Sequence, residues 1–138
     1  MAQILQSPGI HLLDVTVHNY GGSQLNAGSA VIMDTSNTGT QALAPGVVLP
    51  ASDAKAIGFL VDNIPAGRTG RMRVYGVAVA IPTVGVSFNP GDPLMSDSSG
   101  FVKPQTAGLY QIGVAFSPIT TAVSGDTCLV LIDRAKNA

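Results

Sequence analysis

The chain has no Trp and no Glu, a single Cys, and charged residues at only 11% of its 138 positions. A typical soluble domain carries about 25% charged residues. Each shortage excludes something. Without Glu, and with no Lys or Arg before Lys55, long helices lack the side chains that usually build their solvated faces. Helix is therefore a minor component. The lone Cys128 excludes an intramolecular disulfide, so the fold does not depend on an oxidising compartment. Three tyrosines (Tyr20, Tyr75, Tyr110) and no Trp weaken any reading as a carbohydrate-binding module, which displays surface aromatics. A net charge of −1 and a pI near 6.0 leave no electrostatic footprint for direct nucleic-acid binding. Residues 75–88 carry no charge, but Gly76, Pro82 and Gly85 interrupt them, so they read as buried strand rather than membrane span. The opening MAQILQSPGIHLLD has no basic residue and is broken by Pro8, which argues against a signal peptide.

What the chain does contain is Val, Ile, Thr, Gly and Pro, with 46% of residues hydrophobic. So few charges on so small a chain imply that part of its uncharged surface is buried against other chains, because interface cores are depleted in charge. The sequence also repeats itself. AGSAVIMD, Ala27 to Asp34, reads against PGDPLMSD, Pro90 to Asp97, with Gly, apolar run and Asp in register. AIGFLV, Ala56 to Val61, reads against QIGVAF, Gln111 to Phe116. Equal gaps then lead from Gly58 to Gly70 and from Gly113 to Gly125, each opening a further strand-like run. A repeat of this kind dictates a fold made of two related strand–turn–strand halves, here residues 27–81 and 90–133 of one β domain spanning 27–138.

Residues 1–26 lie outside both copies. LLDVTVH alternates well enough for one strand, and the first ten residues, with Pro8-Gly9, read either as a frayed terminus or as an arm whose Ile4, Leu5 and Ile10 are candidates for ordering against a neighbouring molecule. AIGFLV and RMRVYGVAVAI flank an extended turn, and alternation puts Met72 and Val74 on the core side with Arg71 and Arg73 outward. NPGDPLMSDSSGFVKP is a tight hairpin signal, because Asp, Ser and Gly each meet a different turn requirement. Many short strands with Gly and Pro turns indicate an all-β sandwich or small barrel.

Catalytic chemistry has little to stand on. His11 and Asp14 fall on opposite faces of a strand, and His18 sits about 13 Å along it from Asp14. Cys128, inside CLVLI, has no neighbouring His and reads as a small apolar core residue. No nucleophile elbow or phosphate-cradling loop occurs. Asp34 and Asp97 occupy matching places but are explained by turn capping. No metal, cofactor or catalytic set is implied. Arg68, Arg71 and Arg73 are the one basic cluster, read either as a solvated hairpin face or as a contact for acidic groups on a partner.

PGDPLMSDSSGFVKP, then YQIGVAF, then SGDTCLVLI resembles the closing half of tailed-phage capsid decoration (cement) proteins, and GSAVIMD resembles an earlier strand of that family. The resemblance covers about residues 25–133. It implies a non-enzymatic, β-tulip or β-clip-like fold, similar in role to the head decoration protein of phage lambda. It further implies a homotrimer on the outer shell of the virion, made in the host cytoplasm, with the major capsid protein as partner and no membrane or direct nucleic-acid contact. Such a protein strengthens the shell against the pressure of packaged DNA, and the arm would add a strand to a neighbour's sheet. Other readings are a different virion part (a tail or head-fibre subunit), a ligand-binding β module, or a hydrolase or lyase lacking a visible acid–base set.

Overall fold

A computed structural model describes residues 12–36, 44–51 and 55–136. Among them lie ten strands and no helix, as the missing Glu and sparse charge predict. They are β1 (Leu13–His18), β2 (Ala30–Met33), β3 (Val47–Val48), β4 (Gly58–Leu60) and β5 (Thr69–Tyr75), then β6 (Val77–Ala80), β7 (Pro93–Ser96), β8 (Val102–Pro104), β9 (Tyr110–Ala115) and β10 (Cys128–Lys136).

The strands form two five-stranded antiparallel sheets, ordered β1-β5-β4-β2-β3 and β6-β10-β9-β7-β8. Adding five to every label of the first order gives the second. The match extends to single hydrogen bonds. Gly28 N–H donates to Leu60 O at 2.8 Å, and Gly91 N–H to Ala115 O at 2.7 Å. Leu25 and Ile64 exchange backbone bonds, as Phe88 and Ile119 do. Each sheet curls until its first strand meets its last through an isolated parallel bridge, His18 with Gly46 and Pro82 with Val102. The result is a pair of small, nearly closed barrels.

Each curled sheet closes around its own apolar filling. Val17, Leu25, Val31, Val47, Leu60, Ile64 and Met72 fill the first, and their register partners in the second include Ala80, Phe88, Leu94, Val102 and Val130. Met72 is buried and Val74 packs against the same cluster, as alternation predicts. The second core also takes in Ala30, Ala56 and Phe59 from the first half, so the back of the first sheet lies against the second barrel. Ala30 N–H crosses the seam to Gly100 O at 2.8 Å. Arg134 crosses it too, donating to Ile57 O at 2.7 Å.

Gly58 and Gly113 are true counterparts. A Cβ on Gly58 would strike the carbonyl of Arg73 on β5, and one on Gly113 the carbonyl of Leu131 on β10. The strands approach there too closely for any side chain. The second glycine pair needs correcting. Gly125 (φ 95°) matches Gly67 (φ 75°), each in the left-handed turn before the last strand, whereas Gly70 lies within β5 against Ile64. The second half has a longer link at this point, in which Thr121 takes φ 45° with its N–H bonded to Ser87 Oγ. β1, which the sequence sets apart from the copies, holds in the first sheet the place β6 holds in the second. The predicted arm, including Ile4, Leu5 and Ile10, lies outside the described residues.

Candidate interaction surface

One row of residues crosses the outer face of the first sheet in register: Asp14, Arg73, Phe59 and Ala30, on β1, β5, β4 and β2. Arg73 grips Asp14 with two parallel hydrogen bonds, at 2.8 and 3.0 Å, with both side chains about four-fifths buried. Its remaining nitrogen reaches Val77 O at 3.1 Å. The pair therefore ties three strands together across the boundary between the halves. The Arg73 hydrogen bonds hold the Asp14 carboxyl below its ordinary 3.8, against the opposing effect of burial. Asp14 in turn pushes the guanidinium up.

Arg71 makes a second forked pair with Asp62, at 2.8 and 3.1 Å, and Asp62 also accepts the Arg71 backbone N–H. This pair is far more exposed, and Arg71 holds the Asp62 carboxyl low in the same way. Arg68 is exposed and its guanidinium has no partner among the described residues. The structure thus divides the predicted arginine cluster. Arg73 is on the outer face but largely buried and committed to Asp14, Arg71 is exposed but paired, and Arg68 is open to solvent.

The same row in the second sheet is Val77, Leu131, Val114 and Pro93. Beside it runs Val79, Leu129 and Phe116, joined by the β6–β10 register and by the Phe116 N–H bond to Leu129 O. Val79 and Phe116 are more than half exposed, at 52% and 56%, and Leu129 and Leu131 are each 38% exposed. No charge occurs among these residues, although their counterparts in the first sheet include Asp14, Arg71 and Arg73. Where Asp62 receives the Arg71 N–H, Ser117 Oγ receives that of Leu129. The backbone plan is thus repeated under opposite surface chemistry. The sequence reading missed this face because VAVA and CLVLI are apolar on both sides, and alternation cannot then say which side is free.

A cleft of about 380 Å³ opens between the halves, lined by Gly28, Leu60, Arg73, Val79, Ile81 and Thr127 among others. Its lining is apolar apart from Arg73 and Thr127, and Arg73 is already paired. His18 is buried with its ring 4.3 Å from that of Tyr20, while Asp14 is held by Arg73, so the two do not converge. His11 lies outside the described residues. No group of His, Cys, Asp and Glu able to hold a metal ion occurs among the described residues. Cys128 is buried in the second core, its thiol pushed up to about 11 by burial. Asp34 and Asp97 cap their turns, each accepting the N–H two residues on, at 2.9 and 2.8 Å.

Residues 15–132 match the model of a family described as phage cement protein. Among solved structures the chain is similar to the N base of the head fibre protein gp8.5 of bacteriophage phi29. The TM-score is 0.64 and the identity 15%, over 93% of this chain and 99% of that one. No curated protein matches.

Proposed function

Because the chain belongs to the phage cement protein family, we infer that this structural virion protein binds the outside of a phage capsid and stabilises the shell against the pressure of packaged DNA. The observation that carries the reading is the family match, which runs from β1 to Ile132 in β10 and so takes in both barrels. A pressurised shell fails where neighbouring capsomers part. A protein bridging several of them adds contact area that must be broken first, and many copies share the load at modest energy each. The role needs a rigid body and sticky faces rather than a catalytic step. Two barrels locked by the Arg73 and Arg134 bonds across their seam supply the first. The uncharged rows on the outer face of the second sheet, Val77, Leu131 and Val114 beside Val79, Leu129 and Phe116, supply the second.

In this reading the chain works as a homo-oligomer, a trimer at junctions between capsomers, with the major capsid protein as its partner. Residues 1–10, through Ile4, Leu5 and Ile10, add a strand to a neighbour. Arg68 and Arg71 face acidic groups of the shell, while Arg73 serves the fold. Purified protein mixed with DNA-filled heads that lack it should co-sediment with them and raise the temperature at which they release DNA. Absence of binding would sink the reading. Deleting residues 1–10 should lower occupancy, and full occupancy without them would remove the arm from the mechanism.

The likeness to the phi29 fibre base favours a second reading, in which the domain seats a head fibre on the capsid. Cryo-microscopy of virions separates the two: density ending at the height of the two barrels is cement, and a stalk rising from them is a fibre.

A further inference from the structure

We propose that the outer face of the second sheet, formed by Val77, Val79, Val114, Phe116, Leu129 and Leu131, is where a second copy of this chain docks. The inference deepens the self-association in the proposed function and rests on that reading for its setting, while the face itself is read from geometry.

The argument starts from the register. Val77, Leu131 and Val114 stand side by side across β6, β10 and β9, with Val79, Leu129 and Phe116 beside them. Six apolar side chains in two adjoining rows, four of them exposed, make a contiguous patch rather than scattered surface hydrophobes. In a chain with so few charges, a face holding none of them has the composition of an interface core.

The internal twin of this face identifies the occupant. In the first sheet the equivalent row ends in Phe59 and Ala30, both 0% exposed, and what covers them is the second barrel of the same chain. The other end of that row is closed by the Asp14–Arg73 pair. The molecule therefore already shows how a face built on this plan is covered, by a barrel of its own kind. Among the described residues the second sheet carries the plan without the cover, and a further copy supplies a barrel of the same build. Pro93 fits the same logic. Its twin, Ala30, donates its N–H across the seam to Gly100. Proline has no N–H, so a partner can bury that end of the row without orphaning a donor.

The test uses the full chain, with mass measured by light scattering over a range of concentrations. Wild type should be oligomeric. Leu131→Asp should weaken association by at least about 30-fold, the loss expected when a buried interface anchor is removed, with an unchanged far-ultraviolet spectrum. Val79→Asp, at the more exposed position, should act alike and serves if the first variant does not fold. Thr16→Asp, at the matching position of the first sheet, should leave the mass unchanged. A monomeric wild type at every concentration, or variants that keep the wild-type mass, would overturn the proposal. Capsid co-sedimentation run in parallel separates the two readings. An oligomer that depends on Leu131 but ignores capsids leaves this inference standing and fails the capsid reading. Capsid binding with a mass insensitive to both variants does the reverse.

Discussion

The two halves of this chain share strand order, register and turn hydrogen bonds, yet the corresponding outer faces are opposites. In the first, Asp14, Arg73 and Arg71 are paired in charge-assisted forks, and Phe59 and Ala30 are sealed beneath the second barrel. In the second, the same places hold Val77, Leu131, Leu129, Val114 and Pro93, facing solvent. The plan is written in backbone hydrogen bonds and close-approach glycines, so the side chains of an outward face were free to differ. One half uses its outer face to join the two barrels. The other keeps its own available.

The comparison can be broken most severely at its buried end. In the Leu131→Asp background, which keeps the chain monomeric, Phe59→Ala should cost about 4 kcal/mol, the usual range for emptying a packed aromatic site. Val114→Ala at the matching position should cost about 1 kcal/mol or less because it is half open in the single chain. Equal losses in chemical denaturation would mean that the faces are not in different environments. Next are the glycines. Gly58→Ala and Gly113→Ala should each destabilise by about 3 kcal/mol, since the added Cβ meets a partner-strand carbonyl in both. A large difference between them would limit the repeat to topology.

The ion pair sharpens the contrast through pH. Asp14 has its carboxyl lowered by the Arg73 hydrogen bonds, so the stability it contributes is present above its unfolded value and is lost as pH falls through the lower folded value. Asp14→Asn should therefore be less stable than wild type near neutrality, by about 1 kcal/mol. The gap should close as pH drops below 3.8. The second sheet has no titrating group in the matching row, so Val77→Ala should show a pH-independent difference. Smallest of all, the double change Asp14→Val with Arg73→Leu copies the second row into the first. It should leave stability within about 1 kcal/mol of wild type, because a well-packed apolar pair can replace a desolvated ion pair at little cost.

The parts of this arrangement that were legible in the sequence are those fixed by local chemistry. The β class follows from missing helix-forming charges. Gly58 with Gly113, and Asp34 with Asp97, are readable because close approach and turn capping each demand a particular residue type. Equal spacing pairs Gly125 with Gly70, whereas its structural twin is Gly67, because one link is longer than the other and spacing alone cannot detect that. β1 was not seen as the counterpart of β6, since LDVTVH and VAVA share alternation and little else. The partners of the arginines were hidden for a different reason. Asp14 and Arg73 lie 59 residues apart, and only the strand register brings them together.

Burial of Cys128 has a practical consequence. A thiol that ionises only near 11 presents almost no thiolate at neutral pH, so the native chain is a silent background for maleimide chemistry. A cysteine placed at Thr16 or at Val79 would take a dye alone, without removal of the natural one. The two matching faces could then be lit separately on assembled particles, and the quenched one would be the face that another molecule covers.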